Sequence, residues 1–92
     1  MVAKKNINLR KRLMYQCTHR GTKELDIILG CYAKEKLKDF SEKQLKELDL
    51  ILKCSDHSLF SYITKKIKPP SFIHNKTLRS IIMFNQNINN DI

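Results

Sequence analysis

The chain has 92 residues, 18 Lys and Arg against 9 Asp and Glu for a net charge of +9, and only two glycines and two prolines. A chain this short builds one domain around one modest core, and its composition is neither collagenous nor disordered. Its three cysteines, Cys17, Cys31 and Cys54, are too few and too widely spaced for a disulfide scaffold or a zinc site, and no apolar run approaches the roughly 20 residues of a membrane helix.

The first predicted helix covers 8–19. Leu9, Leu13 and Cys17 recur at four-residue spacing, with Met14 widening the stripe. Gly21 fits the place just past a helix end, where a left-handed backbone is wanted. Arg20 suits the last turn, where a cation complements the helix dipole. The second predicted helix covers 22–38 and puts Leu25, Ile28, Leu29, Tyr32, Ala33 and Lys36 on one face. Glu24 and Asp26 lie near its positive end. In the third, Ser41 caps, Gln44 completes a capping box, and Phe40 staples onto Leu45. Leu45, Leu48, Ile51 and Leu52 form its buried stripe.

The fourth helix is expected to start at Asp56 as cap. It buries Leu59, Phe60, Ile63 and Ile67, and it stops at Lys68-Pro69-Pro70. A fifth, over 71–85, buries Ile73 or Thr77, then Leu78, Ile81 and Phe84. No useful β-alternation is present. The reading is an all-α fold, a compact bundle of five short helices, with a single domain at 1–84 and a frayed, Asn-rich tail at 85–92.

Charge is uneven along the chain. Residues 1–20 hold six basic side chains and no acid, 21–64 hold seven basic and eight acidic, and 65–92 hold five basic and one acidic. The basic ends suit phosphates or an acidic protein face, although a Lys-, Asn- and Ile-rich composition explains them equally well. The acid-free start has the composition of a mitochondrial transit peptide. It nevertheless runs as a helical pattern straight into Arg20-Gly21, so it reads as part of the fold, in a bacterial-type cytoplasm.

Chemistry is hard to find. His19, His57 and His74 are far apart and have no acid or nucleophile at motif spacing, which argues against an enzyme. A small basic nucleic-acid-binding helical protein is the alternative, with the Gly21 junction as a helix-turn-helix. Its reader helix, however, would carry Glu24, Asp26, Glu35 and Asp39, which repel phosphates. A protein-binding module remains. On the second helix, Ile27, Gly30, Cys31 and Lys34 lie away from the core stripe. Either a partner packs there or a neighbouring helix covers them.

The string Arg20-Gly21-Thr22-Lys23-Glu24-Leu25-Asp26 resembles the R-G-x-x-E signature of the SdhE family of succinate dehydrogenase assembly factors. Ser41-Glu42-Lys43-Gln44, Cys54-Ser55-Asp56, Leu59-Phe60 and Lys68-Pro69 follow in the family's order, so the resemblance covers 10–70. It implies a five-helix bundle, a monomer without a permanently held cofactor. It also implies binding to the flavoprotein subunit of succinate dehydrogenase, and in some lineages of fumarate reductase, to promote covalent attachment of that partner's FAD. Arg20, Gly21 and Glu24 match the signature, and Lys23 and Asp26 match its surroundings less strictly. With Ile27 and Cys31 these are the candidate partner-binding residues. Interface pairing and helix capping both account for Arg20, Gly21 and Glu24.

Overall fold

A computed structural model describes residues 3–90, with side chains described from Ile7 to Asn87. Five α-helices follow one another: α1 Ala3–Thr18, α2 Lys23–Lys36, α3 Glu42–Leu52, α4 Asp56–Ile63 and α5 Lys76–Asn90, with a 3₁₀ turn at Leu37–Asp39 after α2. The described residues contain no strand. The all-α expectation therefore holds, although several boundaries differ from those expected.

α1 starts at Ala3, five residues ahead of the expected start, because Ala3, Lys4 and Lys5 are good helix formers and nothing interrupts them. It packs on α2 and α3. Arg10 anchors it, donating to the carbonyls of Leu37 and Phe40 at 2.6 and 2.5 Å. α2 starts one residue after its cap, Thr22, whose hydroxyl accepts from the Leu25 N–H. The 3₁₀ turn ends the α-helix two residues early and leaves Lys36 exposed rather than on the buried stripe. α3 has the capping box in full: the Ser41 N–H donates to Gln44 and the Gln44 N–H to the Ser41 hydroxyl.

α4 departs further from expectation. Its cap is Ser55, which accepts from the Ser58 N–H, and not Asp56. It also ends well before the prolines. Lys65 takes a left-handed φ of 65°, the Lys66 N–H reaches back to Ser61 O, and the Lys65 N–H reaches Tyr62 O. This is a Schellman closure with lysine in the position that glycine usually fills. Ile67, expected inside, is left exposed. Helix α5 begins at Lys76, later than expected, because the Asn75 side chain accepts from the Leu78 N–H. It then continues helically through Asn90, and Asn85 is buried, where a frayed tail was expected.

One core joins all five helices. Leu13 and Cys17 of α1, Leu25, Leu29 and Tyr32 of α2, Leu45 and Leu48 of α3, Leu59 and Ile63 of α4, and Leu78 and Ile81 of α5 belong to it. Ile73 and Thr77, offered as alternatives, are both buried. The Thr77 hydroxyl donates to Glu47 at 2.8 Å, which satisfies a polar group that would otherwise be costly to bury. The Tyr32 hydroxyl does the same toward Ser80 at 3.0 Å, and burial pushes its pKa up. The outcome for function is a rigid frame whose α1–α2 turn sits against the α3–α4 corner.

Candidate functional site

The turn between α1 and α2 is built by local hydrogen bonds and by long-range ones to the α3–α4 corner. α1 finishes with the Thr18 hydroxyl donating back to Met14 O at 3.0 Å. The next residue, His19, stacks on Tyr15 with ring centroids 4.0 Å apart and planes 14° from parallel. The backbone then turns, and the Arg20 N–H donates to Asp26 in the first turn of α2.

The Arg20 side chain points inward and is only 11% exposed. Its Nε donates to Asp56 Oδ1 at 2.8 Å, Nη1 to Leu52 O at 2.8 Å and Nη2 to Cys54 O at 2.9 Å. Leu52 is the last residue of α3, so its carbonyl is one of those that no intrahelical N–H can reach. A single guanidinium thus closes the end of α3 and neutralises the first residue of α4. Asp56 uses its other oxygen too, since Oδ2 accepts from the Gly21 N–H at 2.8 Å. Freed from capping α4 by Ser55, Asp56 clasps the turn with both oxygens.

This geometry corrects the reading of Gly21. Its φ is not positive, so a left-handed backbone is not what calls for glycine here. Close approach does: a Cβ at position 21 would overlap Asp56 Oδ2. Gly30 is corrected as well. It is buried rather than outward, and a Cβ there would lie 3.5 Å from Thr18 Cγ2, an ordinary contact. Helix α1 covers it, so of the two alternatives for that glycine the neighbouring helix is the right one.

The seven candidate residues therefore divide. Arg20 and Asp26 are spent inside the molecule, on Asp56 and on the Arg20 backbone. Gly21, Lys23, Glu24, Ile27 and Cys31 are exposed. Glu24, Ile27 and Cys31 follow one another at three- and four-residue spacing and share one face of α2. Ile27 is 54% exposed, a large apolar side chain left on the surface. Glu24 makes no ion pair among the described residues.

Two elements of the site escaped the sequence. Asp56 was expected as a helix cap and as part of the family's order, yet it is the carboxylate that pairs with the Arg20 guanidinium. The signal was Ser55 beside it, a second cap that leaves the carboxylate free. The Tyr15–His19 stack was also missed. Tyr15 is 63% exposed, and both rings line the same shallow hollow as Gly21 and Asp56. Their four-residue spacing on α1 was the available signal.

Electrostatics leave little for chemistry. Burial pushes the Cys17 thiol up to about 12 from its ordinary 9.0, opposed by the nearby Arg20 guanidinium. Burial raises Cys54 in the same way, again with Arg20 opposing. Neither is a thiolate at neutral pH, so neither is a ready nucleophile. Three of the six cations in residues 1–20 are used within the fold: Arg10 on carbonyls, Arg12 on Asp49 at 3.0 Å, and Arg20 on Asp56. That weakens the nucleic-acid alternative, which needs them free.

The fold and the turn together define a small all-α protein that displays an acidic and apolar helix face from a clasped corner. The chain belongs to the family described as flavinator of succinate dehydrogenase, which matches residues 11–85. It is similar to "Succinate dehydrogenase assembly factor 2, mitochondrial" of Dictyostelium discoideum, at 34% identity over 73 residues, 79% of this chain and 52% of the relative. The protein of the same name in Saccharomyces cerevisiae (strain ATCC 204508 / S288c) is 32% identical over 87 residues, 90% of this chain and 54% of the relative. That of Caenorhabditis elegans is 42% identical over 64 residues, 66% of this chain and 53% of the relative. The chain thus spans about half the length of the curated relatives it matches. Because these relatives are named mitochondrial, the bacterial-type cytoplasm expected from the sequence does not stand.

Proposed function

We propose that this chain is an assembly factor that binds the flavoprotein subunit of succinate dehydrogenase in mitochondria and promotes covalent attachment of FAD to it. Family membership supports the reading, and so do the relatives' names, which combine succinate dehydrogenase assembly with mitochondria. The single structural observation behind it is the exposed α2 face beginning at Glu24, held out by the Arg20–Asp56 clasp. The chain acts as a monomer and not as an enzyme, holds no FAD permanently, and serves the fumarate reductase flavoprotein where one is present. Its contacting residues are Gly21, Lys23, Glu24, Ile27 and Cys31, with Arg20 and Asp26 holding the turn that presents them.

A flavoprotein surface with a complementary cation would pair with Glu24, and a desolvated pair of this kind costs about 2–5 kcal/mol when one partner is removed. The test is co-expression of the chain with the flavoprotein subunit, co-purification, and in-gel fluorescence of the denatured subunit to read covalent flavin. A stable complex and more covalent flavin than in the subunit alone are expected. Equal fluorescence with and without the chain would sink the proposal.

A further inference from the structure

At the other end of the α2 face lies an open groove of about 1140 Å³ between α2 and α5. Its floor is apolar. Met83 is 63% exposed, and beside it Phe84 meets Tyr32 edge-on at 5.5 Å. Its walls are basic. Lys34 and Lys36 come from α2 and Lys76 and Arg79 from α5, while Glu35 is the one acid among the lining residues. None of the four cations makes an ion pair among the described residues. Arg79 and Met83 stand one turn apart on α5, so charge and apolar surface alternate along the groove.

The groove continues the outward face already described. Glu24, Ile27, Cys31 and Lys34 run along α2 at spacings of three, four and three, over about 15 Å. Cys31 belongs to both, being exposed on the face and lining the groove. The polarity reverses along this line, from acidic at Glu24 to basic at Lys34. A partner that matches the turn with a cation would therefore meet the groove with acids.

We infer that this groove receives an acidic segment with apolar side chains from the same flavoprotein that meets the turn. The inference rests on the function proposed above. A segment of that chemistry places carboxylates on the four cations and apolar side chains on Met83 and Phe84. A bare phosphate group would use the cations alone, since no glycine-rich turn supplies backbone donors here, and it would leave the apolar floor wet. The docking surface then has two poles of opposite sign, which fixes the direction in which the partner lies.

The test measures binding of the purified chain to the purified flavoprotein subunit, at low and high ionic strength, for wild type, K34E/R79E and K34Q/R79Q. Both positions are exposed. Charge reversal is expected to weaken the complex roughly tenfold or more at low ionic strength, the neutral pair less, with the gap closing as salt screens it. In parallel, a benzophenone is attached to Cys31 of Cys54→Ala, and the cross-linked flavoprotein peptide is mapped by mass spectrometry. A net-acidic peptide with apolar residues is the expected product. A wild-type complex that the reversal leaves unchanged, or a cross-link to a peptide without net negative charge, overturns this inference and leaves the proposed function standing. Absence of any wild-type complex overturns both.

Discussion

Arg20 and Glu24 stand four residues apart with opposite charges, and they meet opposite surroundings. Arg20 is nearly buried and touches three residues of the α3–α4 corner, more than thirty positions away. Glu24 lies in water on the first turn of α2. The inner half of the turn is thus a fastener and the outer half a display. A short motif of this kind does two kinds of work, and its residues should fail in two different ways.

Removing the fastener should have the largest effect on stability. Asp56→Ala strips Arg20 of its carboxylate and Gly21 of its acceptor, leaving a nearly buried cation unpaired. A loss of about 3 kcal/mol is expected, by analogy with one-sided removal of buried pairs. That lowers the melting temperature by roughly 12–24 °C in a domain of this size, and thermal denaturation followed by circular dichroism measures it. Arg20→Ala should behave alike. If Asp56→Ala melted within about 2 °C of wild type, about half of the smallest shift that 1 kcal/mol would give, the fastener would be no fastener.

Next comes alkaline unfolding. Cys17 has a folded-state pKa of about 12 against 9.0 unfolded, so the folded state holds its proton longer. Its contribution is complete below pH 9 and is lost as pH rises from 9 toward 12. The slope from this one group is at most about 1.4 kcal/mol per pH unit. Cys17→Ala should lower stability at neutral pH yet flatten the curve above pH 9, as urea melts at stepped pH would reveal.

Gly30→Ala tests the covered side of α2. With only an ordinary contact to Thr18 waiting for the new methyl, helix propensity should dominate and raise stability by up to about 1 kcal/mol. Destabilisation would mean that α1 and α2 sit closer than the geometry allows.

Glu24→Ala is the smallest change in stability and the sharpest contrast with Asp56→Ala. An exposed residue without an ion pair should shift stability by less than about 0.5 kcal/mol. Covalent flavin in a co-expressed flavoprotein should nevertheless fall. An unchanged flavin level in that variant would empty the display half of its meaning.

Periodicity in the sequence located the helices because their buried stripes are local. The Ser41–Gln44 box was legible for the same reason. What escaped were features made by distant contacts or by competing local ones. Asp56 looks like a cap until Ser55 takes that role, and only the folded chain brings it to Arg20. Asn75 displaced the expected start of α5, and Lys65 ended α4 through a left-handed residue that sequence seldom flags in lysine. In the site, the exposed positions Glu24, Ile27 and Cys31 follow from helical phase. The inward course of Arg20 could not be read from its place near a helix end, where a solvated cation serves equally well.

The Gly21 amide carries one more consequence. Its residue is exposed, yet its proton is held by a carboxylate from another helix. Deuterium should replace that proton only when the corner lets go of the turn. An amide on the surface would then keep the slow time of the interior, and its exchange rate would report how often the clasped turn comes undone.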